Sequence, residues 1–351
     1  MLTIEMLPAQ RGDALWITYG EEGDLHHVLI DGGPKETRGT LVPELERRIA
    51  ELPGSTNRLE LLVVTHIDAD HIQGIVSLLS GPKRVKLFRD VWFNGFKHLG
   101  LLGGPEGEML TTELDQEPGR WNKAFDGGPV VVPDTGKPPT VKLRGGLELT
   151  LLTPTAEALA KLAPKWEKEV LKAGLVPGVG AQVPRTWKRD EFLGFDIDAA
   201  AAAPYRRDRA EPNGSSITFI ASFQGTSVLC AADAHSEMLA AGLDRLGPGP
   251  HKVNAVKLSH HGSRGNVHRG FLERVRSPNW LISTNGANFG HPHPESLARI
   301  AVTQKKPTFH LNYVTPFVED LISGAGDRYR VKLPKKRRDG TFQEGLVVRM
   351  G

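Results

Sequence analysis

Short apolar runs broken by polar turns open the chain. Leu2–Leu7, Ala14–Tyr19 and His26–Ile30 are separated by Arg11-Gly12-Asp13 and Glu21-Glu22-Gly23-Asp24, the pattern of an antiparallel meander. Leu41, Leu45, Ile49 and Leu52 then recur at helical spacing, and Leu59–Thr65 is almost wholly apolar, as a buried strand is. A helix over Ile72–Leu79 and a strand over Val85–Phe93 complete a first α/β layer. The later chain repeats this order. A strand pair is expected within Val141–Leu152, then a helix over Ala156–Ala173 and a hairpin of Ser215–Ala221 with Ser227–Ala231. Strands at Ala255–Leu258, Trp280–Ser283 and Thr308–Tyr313 alternate with helices at Ser236–Leu246, Val267–Val275 and Pro294–Thr303. Two stretches rich in Gly, Pro or charge, 94–140 and 174–212, lack periodicity and read as irregular insertions on an α/β frame.

Composition narrows this picture. With 351 residues and 39% hydrophobic content the chain can bury a sizeable core, and 1–351 is read as a single domain. No run of about 18 apolar residues occurs, so the expectation is a cytoplasmic protein with no membrane partner. Cys230 is the one cysteine, which excludes an internal disulfide and C-x-x-C sites. Any metal must be held by His and carboxylates. A net charge of +3, from 44 Lys+Arg against 41 Asp+Glu, does not announce a nucleic-acid binder. Local basic segments carry that case: Trp187-Lys188-Arg189, Tyr205-Arg206-Arg207 and the run Lys335–Arg338. A solvated loop or turn is the bland alternative for each.

The segment Thr65-His66-Ile67-Asp68-Ala69-Asp70-His71 leaves a strand and enters a helix. Two imidazoles and two carboxylates can converge there, and without a cation their convergence would be costly. An N-cap needs one side-chain oxygen, which accounts for Asp68 or Asp70 but not for both beside His66 and His71. Asp31, Asp233 and Ser259-His260-His261-Gly262-Ser263 also fall at predicted strand ends. Of the 13 histidines, His66, His71, His235, His260, His261, His291 and His293 lie in or near these segments, so the strand ends share an edge.

In this order the motifs resemble the metallo-β-lactamase superfamily. Gly12-Asp13-Ala14, His260-His261-Gly262-Ser263 and Gly290-His291-Pro292-His293-Pro294 are similar to the metallo-hydrolase domain of ComEC-type DNA-uptake proteins. The resemblance spans residues 12–294 and leaves out the two insertions. It implies an αββα sandwich with two divalent ions at its edge. Carried over residue by residue, His66 and Asp68 would bind the first ion and Asp70 and His71 the second. Asp233 would bridge them and His260 would be the late ligand. Asp31 would orient a ligand imidazole.

Two departures from the family pattern matter. Asp68 stands where the family has His, and no histidine lies shortly before the Ser215 strand, where Asn213 or Ser215 stands instead. An oxygen-richer set suits Mn²⁺, Mg²⁺ or Fe²⁺, with Zn²⁺ retained. The implied function is a metal-dependent phosphodiesterase, a nuclease on DNA or RNA, in which the ions acidify the attacking water. Asp70, His261, His291 and His293 are the expected catalytic groups. Ser263, Arg264 and Asn266, before a predicted helix, and Asn213 are expected at the substrate. The alternatives are a small-molecule hydrolase acting on an ester, lactone, lactam or phosphocholine, and an inactive scaffold.

Overall fold

The computed structural model describes residues 1–52, 58–81, 83–98, 105–162, 196–287, 289–315, 318–324 and 326–350. Along the first half run β1 (Leu2–Met6), β2 (Leu15–Glu21), β3 (Asp24–Ile30), β4 (Leu61–Val63), β5 (Val91–Trp92), β6 (Thr140–Lys142) and β7 (Glu148–Thr153). The second half adds β8 (Thr218–Phe223), β9 (Thr226–Cys230), β10 (His251–Lys252), β11 (Ala255–Lys257) and β12 (Val275–Arg276). It ends with β13 (Asn279–Ile282), β14 (Thr308–Leu311), β15 (Arg330–Lys332) and β16 (Leu346–Met350). One sheet has the order β16-β1-β2-β3-β4-β5 and the other β15-β14-β13-β11-β9-β8-β7-β6. β10 and β12 form a small separate pair.

Side-chain alternation sets the layers. Leu15, Ile17 and Tyr19 of β2 face Phe219, Val228 and Leu281 of the opposite sheet, while Trp16 faces outward. The outer face of the first sheet is covered by the helices Leu41–Ala50, Ala69–Leu79 and Pro105–Leu114. Helices Ser236–Asp244, Arg269–Arg274 and Pro294–Thr303 cover the second. The fold is thus an α/β sandwich of helix, sheet, sheet and helix layers. Among the described residues no helix is long and apolar enough to cross a membrane.

Several elements differ from expectation. Val85–Phe93 is a 3₁₀ turn, Arg84–Leu87, followed by the two-residue β5, because the strand pairs only briefly with β4. The 94–140 segment is not an appended loop: it forms the helix Pro105–Leu114 and buries Leu110, Leu114 and Trp121 in the first sheet's outer core. Its few apolar residues are spaced too irregularly to advertise this. In the second insertion the alanine run is a helix, Ile197–Ala202, packed on Pro294–Thr303. The expected helix over Ala156–Ala173 is present over 156–162; its remainder and Trp187-Lys188-Arg189 lie outside the described residues. Lys335–Arg338 is a solvated turn closed by pairing of Lys336 with Phe342.

Parallel pairing of β3 with β4, and of β9, β11, β13 and β14 with one another, brings their C-terminal ends to one side. Ile217 N–H donating to the Thr65 carbonyl and Ser283 Oγ donating to the Gly12 carbonyl join the two sheets there. That edge gathers the His and Asp side chains expected at the site.

Candidate metal centre

The first sheet delivers its groups through one corner. After β4, Thr65 and His66 extend the strand and Asp68 takes the N-cap position of the helix Ala69–Leu79. The Asp68 carboxylate does not cap that helix; it lies 3.7 Å from His66 Nε2. Gly12 permits the adjoining loop to touch this corner, because a Cβ there would collide with the Asp70 carbonyl. Asp31, buried at the end of β3, is the brace. Its Oδ2 accepts from His71 Nδ1 at 2.8 Å and from Thr65 Oγ1 at 2.7 Å. Thr65 Oγ1 in turn lies 2.9 Å from His66 Nδ1, so one carboxylate aligns both imidazoles.

The second sheet uses two loops. Asp233 follows β9 after the left-handed Ala232, and the 3₁₀ turn Ser259–Gly262 holds His260 and His261 in left-handed backbone, φ 48° and 52°. Two adjacent side chains that would otherwise diverge thereby both reach Asp233. His261 Nδ1 donates to the Ser283 carbonyl at 2.8 Å. His260 Nδ1 meets Asn266 Oδ1 at 3.0 Å and Asp208 Oδ2 at 3.3 Å. In all four imidazoles Nδ1 is thus engaged and Nε2 is turned inward.

Asp233 Oδ2 is the centre of convergence, 3.4 Å from His71 Nε2 and 3.7 Å from both His260 Nε2 and His261 Nε2. His261 Nε2 is also 3.6 Å from Asp70 Oδ2. These separations are too long for good hydrogen bonds. Atoms bound at about 2.1 Å to one tetrahedral ion lie about 3.4 Å from each other, which these pairs approach. Nε2 of His66, His71 and His261 and Oδ1 of Asp233 are buried without any hydrogen-bond partner. A cation would satisfy them, so the residues fit a metal. Asp13, His71, Asp233 and His261 each offer an atom within 4.8 Å of the others.

Electrostatics agree with that reading. Burial pulls His261 down, but Asp233 and Asp13 outweigh it and raise it to about 9. His71 is raised well above its usual value against its burial by Asp233 and Asp31, and His260 is raised by Asp233 and Asp208. Burial, then the His71 charge, lowers His66 to about 3. Asp233 is buried yet held well below the carboxylate range by three facing imidazoles.

Asp13, Lys257, Asp208, Thr65 and Ser283 were not singled out as site residues from sequence. Lys257 is fully buried; it shares the inward parity of Ala255 on β11 and sets its Nζ 2.5 Å from Asp13 Oδ2. Asp13 Oδ1 then lies 3.5 Å from His261 Nδ1. A lysine inside an otherwise apolar strand was the available signal. Asp208, inside an arginine-rich loop, offered none.

The residues expected at the substrate are placed variously. Asn213 and Asn266 are buried behind His260, where their Nδ2 groups donate to Asp208 at 2.6 and 3.0 Å, so they brace a histidine instead of meeting a ligand. The helix expected over Val267–Val275, directly after Ser263–Asn266, begins at Arg269 with His268 as its cap, so its N-terminus is set off from that segment and cradles no anion there. Ser263 Oγ accepts from Gly265 N–H at 3.3 Å. The exposed Arg264 pairs with Glu295 at 3.2 Å, and its backbone N–H donates to His293 Nδ1. The His291 ring lies 5.1 Å from that of His260 and 4.7 Å from that of His293. Burial, then repulsion from His260, His293 and His261, holds His291 well below its usual pKa.

No family model and no curated protein matches the chain. Among solved structures, the Zn²⁺-bound PqqB from Methylobacterium extorquens is 11% identical, with a TM-score of 0.41 over 99% of each chain. The metallo-beta-lactamase fold protein YhfI from Bacillus subtilis is similar over 100% of this chain and 99% of its own, at 12% identity and a TM-score of 0.44.

Proposed function

We propose that this protein is a metal-dependent hydrolase of the metallo-β-lactamase type whose substrate is a phosphodiester, specifically a nucleic acid strand. The observation that carries the metal reading is the meeting of three imidazole Nε2 atoms on one Asp233 oxygen at 3.4 to 3.7 Å. Two ligand sets sharing Asp233 would take up the inward-facing donors, Asp13 being held instead by Lys257. His66, Asp68 and His260 form one, and Asp70, His71 and His261 form the other. On this assignment His260 supplies the histidine missing before β8, and His261 becomes a ligand in addition to its expected catalytic part. When bound, divalent ions would lower the pKa of a water and polarise the bond it attacks. Imidazole and carboxylate donors suit Zn²⁺, Mn²⁺ or Fe²⁺.

The chain's own groups have separable roles. Asp31, Asp208 and the Ser283 carbonyl fix the imidazole tautomers through Nδ1. Asp70 is assigned to orient the attacking water. His291 and His293 stand side by side at the His260 flank and are assigned to the leaving oxygen, with Arg264 near the phosphate charge. Support for a phosphodiester comes from this grouping and from the HHGS and GHPHP resemblance.

The test is incubation with labelled single- and double-stranded DNA and RNA in Mn²⁺, Mg²⁺, Zn²⁺ or EDTA, beside Asp70→Ala, with metal analysis of the purified protein. Metal-dependent cleavage lost in the variant is expected. Bound metal without cleavage of any strand would sink the nuclease reading and leave a small-molecule hydrolase. Protein that binds no divalent ion would sink both.

A further inference from the structure

Outside the metal cluster, the loop that braces His260 carries a second feature. Tyr205, Arg206, Arg207, Asp208 and Arg209 form a strap fixed at several points. Tyr205 hydroxyl and Asp208 N–H both donate to the Gly265 carbonyl at 3.0 Å, and Arg299 holds the Ala203 carbonyl at 3.1 Å. Asp208 turns inward to Asn213, Asn266 and His260. Arg206, Arg207 and Arg209 turn the other way and are exposed, and their side chains have no ion-pair or hydrogen-bond partner among the described residues.

Three hollows of about 400, 560 and 550 Å³ adjoin this strap. The first and second share Arg207 and Arg209, and the second and third share Tyr205 and His268, so they succeed one another along the strap as a trough. The acids along it are mostly spent internally. Glu157 pairs with Lys161 and Glu273 with Arg269, while Glu237 lies beside the Tyr205 hydroxyl. Three guanidinium groups within four residues repel one another, and Glu211 and Glu237, which line the same hollows, offset only part of that charge. Tyr205 is no stacking platform, since its ring already meets His268 at 4.5 Å and the Arg299 guanidinium at 5.6 Å.

We infer that this trough is a binding track for the sugar-phosphate backbone of a nucleic acid strand, gripped by Arg206, Arg207 and Arg209 on the strap that braces His260. The inference rests on the nuclease reading for its choice of polyanion. A lone phosphate would occupy one hollow, whereas a trough of three in succession fits a chain with repeated charges. Recognition through backbone charge, with no free aromatic face, makes the track indifferent to base sequence. Because Asp208 ties the strap to His260, the track is held at a fixed position relative to the metal ligands.

Binding of a labelled phosphorothioate single strand, in DNA and RNA forms, to the protein as purified would be followed by anisotropy across a salt series. Replacing all three arginines (Arg206→Ala, Arg207→Ala, Arg209→Ala) should weaken binding at least about tenfold and reduce the slope of log Kd against log salt by about 2, at about 0.7 per contact. The corresponding triple lysine variant should keep most of the slope, and Arg337→Ala with Arg338→Ala, in an exposed turn that lines none of the three hollows, should change neither quantity. An alanine triple with wild-type Kd and slope overturns the track. A loss matched by the Arg337 and Arg338 control overturns it too, as it would mark diffuse charge. If the wild type binds with the arginine-dependent slope but cleaves no unmodified strand, the track stands and the nuclease reading falls.

Discussion

On the first sheet, His66, Asp68, Asp70 and His71 come from one strand-to-helix corner, and a single buried carboxylate, Asp31, aligns both imidazoles. On the second sheet, Asp233 and the His260–His261 pair come from separate loops. Each histidine there has its own support: Asp208 with two asparagines for His260, Ser283 with the Asp13–Lys257 pair for His261. One edge is therefore local and depends on a single brace. The other is assembled from distant chain and shares its load. Local geometry fixes the first because consecutive backbone dihedrals already set where the side chains point. At the second, left-handed turns and a polar network must supply that direction.

The most severe way to break this comparison is at the shared residue. Asp233→Asn should abolish tight metal binding and lower activity by more than about 100-fold, since even outer partners of ligands cost 10–100-fold; elemental analysis and rate together check it. Wild-type metal content in that variant would remove Asp233 from the centre. Next comes the second edge's buried pair. Lys257→Met leaves the Asp13 charge uncompensated and should cost about 3–5 kcal/mol in urea denaturation, whereas adding Asp13→Leu should restore most of the loss. A harmless single variant would show that the pair carries no load.

The sharpest contrast is between braces. Asp31→Asn should weaken metal affinity by about 100-fold and Asp208→Asn by about 10-fold, because His260 keeps Asn266 while His66 and His71 share Asp31. Equal losses would dissolve the distinction between single and shared support.

The smallest effect lies away from both edges. His27 on β3 and His310 on β14 are each lowered to about 4, mainly by burial. Between pH 6.5 and 4 the unfolded chain binds protons that the folded chain refuses, so stability falls as pH falls through that window and is unaffected above it. For His310, whose side chain is almost fully buried, the cost at pH 5 should be about 2 kcal/mol. His310→Gln should flatten the denaturation midpoint between pH 7.5 and 5; an unchanged pH profile would assign the acid sensitivity elsewhere.

Much of the frame was legible along the chain, since alternation in β2 and the buried run at β4 already assign faces to the core. Asp31, Asp233 and the His66–His71 corner were legible for the same reason: a parallel strand's C-terminal end is a fixed address. The 94–140 segment was misread because Leu110, Leu114 and Trp121 complete a core begun by other elements and have no period of their own. Ser263–Asn266 was misread because a helix start cannot be told from a turn until its cap is seen, and the cap is His268.

The sequence by itself therefore determined two α/β halves, the strand ends and the residue types of the donor set, which follow from short-range periodicity and residue type, while the αββα order was what the family resemblance implied. Only the tertiary structure decided that His260 and His261 both face Asp233, that Lys257 is spent on Asp13, and that Asp208 leaves three arginines unpaired on one strap. Those choices depend on contacts between residues far apart in the chain, where burial and charge pairing, not local backbone preference, set the outcome.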